Sequence, residues 1–181
     1  MLLDKSYSNL KKILLENMCL SEGSRVLDIG CGVRGNVYGI DPKAYVGIDN
    51  QGIFIKHLKE SQSGIYHVME AGNLKFDDKC FDYIISVSLL HHLSAVELKD
   101  AMSEVKRVLK KEGKVIVADG VYPESKFNLA GWLIRFFDKG RYVRCKHSLR
   151  ELLTGYFYIE KEYYLVDKIF AYSLFVMSIK E

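Results

Sequence analysis

The sequence predicts an α/β fold built on a doubly wound, mostly parallel sheet. Short apolar segments of strand length alternate with segments that carry apolar residues at helical spacing. A glycine-rich loop follows the first apolar segment, at the end of the sheet where such folds bind ligands. Two long apolar and aromatic segments close the 181-residue chain and predict a final antiparallel hairpin.

The elements of this fold follow from local patterns in chain order. Apolar residues at helical spacing predict a first helix over residues 5–20. A second helix is expected over 51–60, with Asn50 as its N-cap. Short apolar segments predict five strands, at 24–29, 44–49, 65–69, 81–87 and 114–119. The two strands of the terminal hairpin are expected at 157–166 and 170–179.

Two sequences of the type S-x-x-E predict helix starts by forming capping boxes, at Ser94 and at Ser148. The first of these helices is expected to run to about Lys110, where Gly113 stops it before the fifth strand. We expect the whole chain, residues 1–181, to form one domain with a lid-like insertion at about 120–150.

Composition excludes several classes of protein. The net charge of +3 does not by itself predict a nucleic-acid partner. The four cysteines are too far apart for a zinc ribbon or a disulfide framework, so no metal site is predicted and reduced thiols in a cytoplasmic protein are expected. An acidic residue at position 4 argues against a signal peptide. The longest charge-free stretch, residues 83–96, is too short for a membrane-spanning helix.

The loop after the first strand carries Gly30, Gly32 and Gly35 in the spacing G-x-G-x-x-G, and Asp49 ends the second strand. Dinucleotide-binding proteins have the same fingerprint, so an NAD(P)-dependent oxidoreductase is an alternative at this point. Asp28 disfavours it, because a carboxylate beside the loop would repel a pyrophosphate and suits a ligand that carries ammonium and sulfonium charges. The length of the chain also leaves no room for a separate substrate domain.

Five ordered motifs over residues 20–119 resemble those of the class I S-adenosylmethionine-dependent methyltransferases. They are VLDIGCG (26–32), VGID (46–49), EAGNLKF (70–76), FDYIISV (81–87) followed by LHHL (90–93), and EVKRVLKKEGK (104–114). The resemblance implies a Rossmann-like, seven-stranded sheet that is mostly parallel with an antiparallel C-terminal strand. It also implies S-adenosyl-L-methionine as the cofactor and S-adenosyl-L-homocysteine as the product.

The resemblance assigns cofactor contacts to nine residues: Asp28, Gly30, Cys31, Gly32, Asp49, Asn50, Glu70, Ala71 and Ser86. Asp49 is expected to accept hydrogen bonds from the ribose hydroxyls, since a carboxylate can accept two. Glu70 and Ala71 are assigned to adenine, and the backbone of Ser86 to the amino-acid end of the cofactor. Capping a turn is the alternative role for Asp28, and capping a helix is the alternative for Asn50.

The acceptor side is less specific, because methyl transfer from a sulfonium needs mainly proximity and orientation. A base is needed only for a weak nucleophile, so no catalytic residue is assigned. His91, Trp132 and Phe136 are the candidates on the substrate side. His91 and His92 are adjacent and point in different directions, so at most one of them is expected to face the site.

The predicted insertion is basic and aromatic, with six Lys or Arg residues and one acid between residues 135 and 150. It is compatible with a lid helix with a solvated basic edge, with a pocket for an acceptor, or with nucleic-acid or peripheral membrane contact. We expect methyl transfer to a small aromatic, lipophilic or anionic acceptor, without a nucleic-acid partner. A non-catalytic, S-adenosylmethionine-binding partner subunit is the further alternative.

Overall fold

A computed structural model describes residues 2–36, 40–41, 43–125, 127–136, 140–167 and 170–180. This part of the chain contains five α-helices: α1 (Leu2–Glu16), α2 (Gly52–Ser61), α3 (Ala95–Val108), α4 (Leu129–Phe136) and α5 (Lys146–Thr154). Its eight strands are β1 (Val26–Ile29), β2 (Tyr45–Asp49), β3 (Ile65–Val68), β4 (Phe81–Val87), β5 (Leu109–Tyr122), β6 (Arg144–Cys145), β7 (Phe157–Asp167) and β8 (Phe170–Ile179). A 3-10 helix covers Leu90–His92.

The strands form one sheet in the order β3-β2-β1-β4-β5-β8-β7, and the two-residue strand β6 pairs with β5 beside this path. Strands β1 to β5 pair in parallel, whereas β8 is antiparallel to both of its neighbours. The predicted fold is therefore confirmed, including the terminal hairpin. The strand order reverses between β1 and β4, and a sheet of this kind opens a crevice at the carboxyl ends of those two strands.

Helices cover both faces of the sheet, as the alternation of strands and helices predicts. On one face α3 and α5 pack through buried leucines such as Leu98 and Leu149. On the other face α1 and α2 pack through Leu14 and Leu58, which are completely buried. Each such side chain contributes roughly 1.5–3 kcal/mol of transfer free energy.

A helix that spans a membrane needs both sufficient length and sufficient hydrophobicity, and none of the described helices reaches both.

The boundary between α3 and β5 differs from the prediction. Strand β5 starts at Leu109, directly after α3, and Leu109 pairs with Phe81 before the register shifts. Gly113 therefore does not stop the helix. A Cβ at Gly113 would lie 2.6 Å from Leu109 Cδ1 and 2.9 Å from the main-chain oxygen of Asp82. A side chain at position 113 would collide with the side chain of Leu109 and with the backbone of β4, so this position requires glycine.

One of the two predicted capping boxes forms. The N–H of Glu97 donates to Ser94 Oγ (3.3 Å), and the N–H of Ser94 donates to Glu97 Oε2 (2.8 Å). The second prediction is wrong, because α5 starts earlier and Cys145 is its N-cap. The Sγ of Cys145 accepts a hydrogen bond from the N–H of Ser148 at 3.5 Å, so Ser148 lies in the first turn of the helix.

Arg107 of α3 fastens the segment that follows β3 to the body of the domain. Its guanidinium donates to the main-chain oxygens of Leu74 (2.9 Å) and Phe76 (2.7 Å). It also pairs with the carboxylates of Glu104 and Asp78, each at 2.8 Å. These carboxylates raise the pKa of Arg107 above its ordinary value.

Replacing Arg107 with leucine is expected to lower the free energy of unfolding by about 1.5–2 kcal/mol, measured by urea denaturation. Two main-chain oxygens would lose charged donors, and leucine keeps much of the side-chain bulk. Arg150→Leu is the matched control, because Arg150 is half exposed and its described ion pair is with Glu162 (3.1 Å). The control should lose less than about 1 kcal/mol. Equal losses in the two variants would contradict this account of Arg107.

Candidate functional site

A cavity of about 970 Å³ opens at the carboxyl ends of the parallel strands. Four loop segments line it, at residues 29–34, 48–51, 69–72 and 87–89. Further along one wall lie His92, Leu93, Glu97 and Asp100. The cavity thus lies at the reversal of strand order, where the sheet topology predicts a ligand site.

The glycine loop brings bare main chain to the wall of this cavity. Gly30 and Gly32 have φ angles of +74° and +61°, which residues other than glycine rarely adopt. A Cβ at Gly32 would meet no atom within 4 Å, so the backbone there faces open space. Cys31 lies between them and also lines the cavity. A ligand can therefore approach the peptide groups of this loop closely, as the sequence predicts.

Asp49 joins the end of β2 to the glycine loop. The N–H of Gly32 donates to Asp49 Oδ2 (3.0 Å), and the N–H of Gln51 donates to Oδ1 (2.9 Å). These two bonds fix the orientation of the carboxylate in the cavity wall. Each oxygen of a carboxylate has a second lone pair, so Asp49 retains the capacity to accept two hydroxyl groups.

Asp28 does not line the cavity. Its side chain is completely buried beneath the glycine loop. The backbone N–H of Asn36 donates to Oδ2 (2.9 Å), the side-chain amide of Asn36 donates to Oδ1 (2.8 Å), and the Tyr45 hydroxyl donates to Oδ2. The geometry supports the alternative role, in which Asp28 braces the loop from below. Asp28 therefore acts on the site through Asn36 and the shape of the loop.

The stability of the protein should depend on pH through Asp28. Burial raises its pKa from an ordinary value of 3.8 to about 6, and hydrogen bonds from Tyr45 and Asn36 oppose the rise. Between these two values the folded protein holds a proton that the unfolded chain has released. The contribution of Asp28 to the free energy of unfolding therefore falls as the pH rises from about 4 to about 6, and is level above that.

This dependence can be isolated by subtracting the free energy of unfolding of Asp28→Asn from that of the natural sequence at each pH. The difference should decrease between pH values of about 4 and 6 and then stay constant. Urea denaturation provides both quantities. A difference that grows with pH across this window would mean that the folded state depresses the pKa of Asp28.

Asn50 and Glu70 bring the ends of β2 and β3 together at the cavity. The side-chain amide of Asn50 donates to Glu70 Oε2 at 3.5 Å. Ala71 lines the cavity beside them. The N-cap of α2 is Gln51, so the predicted role of Asn50 as that cap is wrong. The structure therefore places all three predicted residues in the wall of the site.

Ser86 is buried inside β4 and does not line the cavity. Strand β4 continues to Val87, and the lining residues are Val87, Ser88 and Leu89. Ser88 has a φ of +55°, a conformation that directs the chain out of the strand toward the cavity rim. The position of Ser86 therefore does not support its predicted contact, and the three residues that follow it line the cavity instead.

The side chains that line the cavity carry a net negative charge. Among the described lining residues, the carboxylates of Asp49, Glu70, Glu97 and Asp100 face one guanidinium, that of Arg34. This balance favours a cationic ligand and disfavours a pyrophosphate. Carboxylates beside exposed main chain suit an adenosyl ligand whose sulfur and amino group are positively charged. These four carboxylates, and not the buried Asp28, disfavour a dinucleotide in the cavity.

The two adjacent histidines occupy different environments. His91 is buried, its Nδ1 contacts the Asp119 carboxylate, and its backbone N–H donates to Asp119 Oδ2 (3.0 Å). His92 is exposed and lines the cavity. The two rings lie 4.1 Å apart between centroids. The structure thus places His91 behind the wall, and the sequence analysis missed His92 because the pair alone does not show which ring faces the site.

Helix α4 lies within the segment that is predicted to form a lid. Trp132 stacks on Tyr122 at the end of β5, with 4.8 Å between ring centroids, and is 41% exposed. It is not among the residues that line the cavity. Phe136 ends α4, and its side chain lies outside the described part of the structure. The acceptor-side roles of Trp132 and Phe136 remain predictions.

Three basic residues of the insertion make intramolecular contacts. Arg144 donates to the main-chain oxygens of Leu90 (2.8 Å) and Leu93 (3.4 Å), at the cavity rim. Lys146 and Arg150 pair with Glu162, at 3.4 and 3.1 Å. Lys139 lies outside the described residues, as does the side chain of Arg135. The contacts described therefore fasten the insertion to the domain.

The sheet order and the glycine loop fixed by Asp49 are those expected of the class I S-adenosylmethionine-dependent methyltransferases. Residues 27–117, about half of the chain, match the family model described as a methyltransferase domain. The chain belongs to this methyltransferase family.

Two relatives share about a third of their aligned residues with this chain. A tRNA (carboxymethyluridine(34)-5-O)-methyltransferase of Arabidopsis thaliana is 35% identical over 100 residues, which are 54% of this chain and 24% of that protein. An uncharacterised protein of Methanocaldococcus jannaschii is 31% identical over 152 residues, which are 82% of this chain and 57% of that protein. The chain thus spans between a quarter and just over half of the length of these relatives.

Solved structures extend the similarity to nearly the whole chain. The PH0226 protein of Pyrococcus horikoshii superposes with a TM-score of 0.77 at 25% identity, covering 98% of this chain and 91% of that one. A geranyl diphosphate C-methyltransferase of Streptomyces coelicolor has a TM-score of 0.71 at 14% identity, covering 96% of this chain and 77% of that one. The latter structure contains S-adenosyl-L-homocysteine, the product form of the cofactor of this class.

Proposed function

We propose that this protein binds S-adenosyl-L-methionine in the cavity and transfers its methyl group to a small aromatic or lipophilic acceptor. One observation supports the proposal above all others: the carboxylate of Asp49 is bonded to the main chain of Gly32 at the edge of an acidic cavity. This joins a group that accepts sugar hydroxyls to a loop that a ligand can approach closely.

The cofactor side of the cavity is assigned as follows. Asp49 accepts the ribose hydroxyls, with Asn50 beside it, and Glu70 and Ala71 contact the adenine ring. The main chain of residues 30–32 and the end of β4 hold the amino-acid portion. When bound, the cofactor supplies a methyl group that is already activated by the positive charge on sulfur. The protein then has to orient this group, exclude water and hold the acceptor in line.

Arg34 is assigned to the carboxylate of the cofactor. It is exposed and is the one guanidinium among the described lining residues, whereas the other charged groups of the wall are carboxylates. A guanidinium matches a carboxylate in geometry and charge. The four acids of the wall then face the ammonium and sulfonium charges of the same ligand.

A small acceptor is favoured over a tRNA by the charges near the cavity. Nucleic-acid binding requires cationic side chains that are available to phosphates. Three of the six basic residues of the insertion, Arg144, Lys146 and Arg150, instead contact main-chain oxygens or carboxylates of this chain. The acidic wall also disfavours an anionic acceptor, so the proposal is narrower than the sequence prediction. Apolar residues such as Leu89 and Leu93 line the remaining surface and suit an aromatic or lipophilic molecule.

A labelled-methyl assay tests the proposal. The protein is incubated with methyl-labelled S-adenosylmethionine and a panel of phenols, fatty alcohols, isoprenoid alcohols and bulk tRNA, with Asp49→Asn as the binding-deficient control. Label in the organic extract that depends on Asp49 is the expected result. Label in tRNA alone would contradict the proposed acceptor class. Cofactor binding without transfer to any acceptor would favour the non-catalytic partner subunit.

A further inference from the structure

We propose that His92 is the general base of the methyl-transfer reaction, and that it removes a proton from a hydroxyl or similar neutral acceptor. The inference rests on the proposed function and adds a role for a specific residue. His92 lines the cavity beside Leu93, at the rim formed by the segment that follows β4. The neighbouring His91 lies behind the wall and makes its contacts with Asp119.

The chemistry of the lining residues points to the imidazole. Described ionisable groups in the wall are carboxylates, one guanidinium, the Cys31 thiol and the imidazole of His92. A guanidinium does not release its proton in proteins, and a carboxylate is a weaker base than an imidazole. Burial raises the pKa of the Cys31 thiol far above its ordinary value, which keeps it protonated. An imidazole accepts and releases a proton near neutral pH, which suits a general base.

The surrounding structure holds the His92 ring in a defined place. Its face packs on the ring of His91, with 4.1 Å between centroids and an interplanar angle of 43°. His91 is fixed in turn by Asp119, which accepts from its backbone N–H and contacts Nδ1. Arg144 donates to Leu90 O and Leu93 O, the carbonyls on either side of the histidine pair. These contacts brace the wall from behind.

The proposed step is balanced in atoms and electrons. As the acceptor oxygen or nitrogen forms a bond to the methyl carbon, the bond from this carbon to sulfur breaks and its electron pair stays on sulfur. The proton of the acceptor moves to the His92 ring. Since His92 is exposed, the proton then passes to water. The products are the methylated acceptor, S-adenosyl-L-homocysteine and one proton in solution.

The test does not require the natural acceptor. The pKa of His92 is measured by NMR of its ring C–H group in two complexes of the full chain, with S-adenosylmethionine and with S-adenosylhomocysteine. The two ligands differ only in the methyl group and in the positive charge on sulfur that it creates. If His92 faces this methyl group, the pKa should be lower by about one unit in the S-adenosylmethionine complex, because a nearby cation disfavours protonation.

A variant of the protein identifies the NMR signal of His92, and a second histidine serves as the control. The signal of His92 is the one that disappears in His92→Gln. His147 lies on α5, is exposed and pairs with Glu151 (3.2 Å), so its pKa should be the same in both complexes. The charged groups that share the wall with His92 are Glu97 and Asp100, and they contribute equally to both measurements. Asp119 and Arg144, which lie behind the wall, also cancel in the comparison.

Two results would overturn the inference and can be distinguished. Binding of both ligands, measured by calorimetry, with the same pKa of His92 in each would place the ring away from the reacting methyl group while leaving the proposed function intact. Binding of neither ligand would remove the proposed function itself. Once an acceptor is known, His92→Gln should lower kcat by roughly 100-fold or more and leave the affinity for S-adenosylhomocysteine within about threefold.

Discussion

Replacing Asp49 with asparagine is expected to weaken the binding of S-adenosyl-L-homocysteine by roughly 10- to 100-fold, or about 1–3 kcal/mol. Both carboxylate oxygens accept main-chain hydrogen bonds, from Gly32 and from Gln51. An amide has one oxygen, so its NH2 group would face one of these N–H donors. The ribose hydroxyls would lose a charged acceptor at the same time. Titration calorimetry at constant pH and salt measures the effect.

Asp100→Asn is the control for this experiment. Asp100 lies on α3 in the same cavity wall, so the variant removes the same charge from the site. A loss of affinity clearly smaller than that of Asp49→Asn is expected for it, because solvent screens an exposed carboxylate that contributes charge alone. Equal losses for the two variants would mean that the general field of the cavity matters and that the contact of Asp49 does not. Unchanged affinity in Asp49→Asn would show that another group holds the ribose.

Replacing Gly140 with alanine is expected to lower the free energy of unfolding by about 2–3 kcal/mol. A Cβ at this position would lie 2.1 Å from His91 Cδ2 and 2.9 Å from the main-chain oxygen of His91. The His91 ring can move only by disturbing its contact with Asp119. If the backbone moves instead, the hydrogen bond from Tyr142 N–H to His91 O (3.0 Å) is disturbed.

Urea denaturation of Gly140→Ala measures this effect, with Gly52→Ala as the control. A Cβ at Gly52 would lie 3.8 Å from Val68 Cγ2, an ordinary contact, and Gly52 begins α2. The control should therefore be neutral or slightly stabilising. The NMR signal of His92 should move in Gly140→Ala, because the ring of His92 contacts the displaced ring. Undiminished stability in Gly140→Ala would mean that the insertion does not brace the cavity wall.

Features that depend on local sequence were predicted well. Strand β4 has the predicted bounds, Phe81–Val87, because an uninterrupted apolar segment can only be buried in the sheet. The capping box at Ser94 also forms, since it needs only residues three positions apart. The lining residues of the glycine loop and Asp49 were found because their motif combines a turn geometry with a strand end.

Features that depend on distant partners were not predicted. The motif includes Asp28, but the partners that bury it, Asn36 and Tyr45, belong to a loop and a strand whose packing no local pattern reveals. His91 was preferred over His92 for the same reason. Asp119 determines which of the two histidines is buried, and it lies on β5, 28 residues after His91. The charge of the cavity likewise appears only when four separate segments meet.

The central claim is that the cavity accepts an S-adenosyl ligand and rejects a phosphorylated dinucleotide. Parallel calorimetric titrations of the purified protein with S-adenosyl-L-homocysteine and with NADH test it most directly. We expect saturable binding of one S-adenosyl-L-homocysteine per chain and no binding of NADH. Saturable binding of NADH without binding of S-adenosyl-L-homocysteine would contradict the claim.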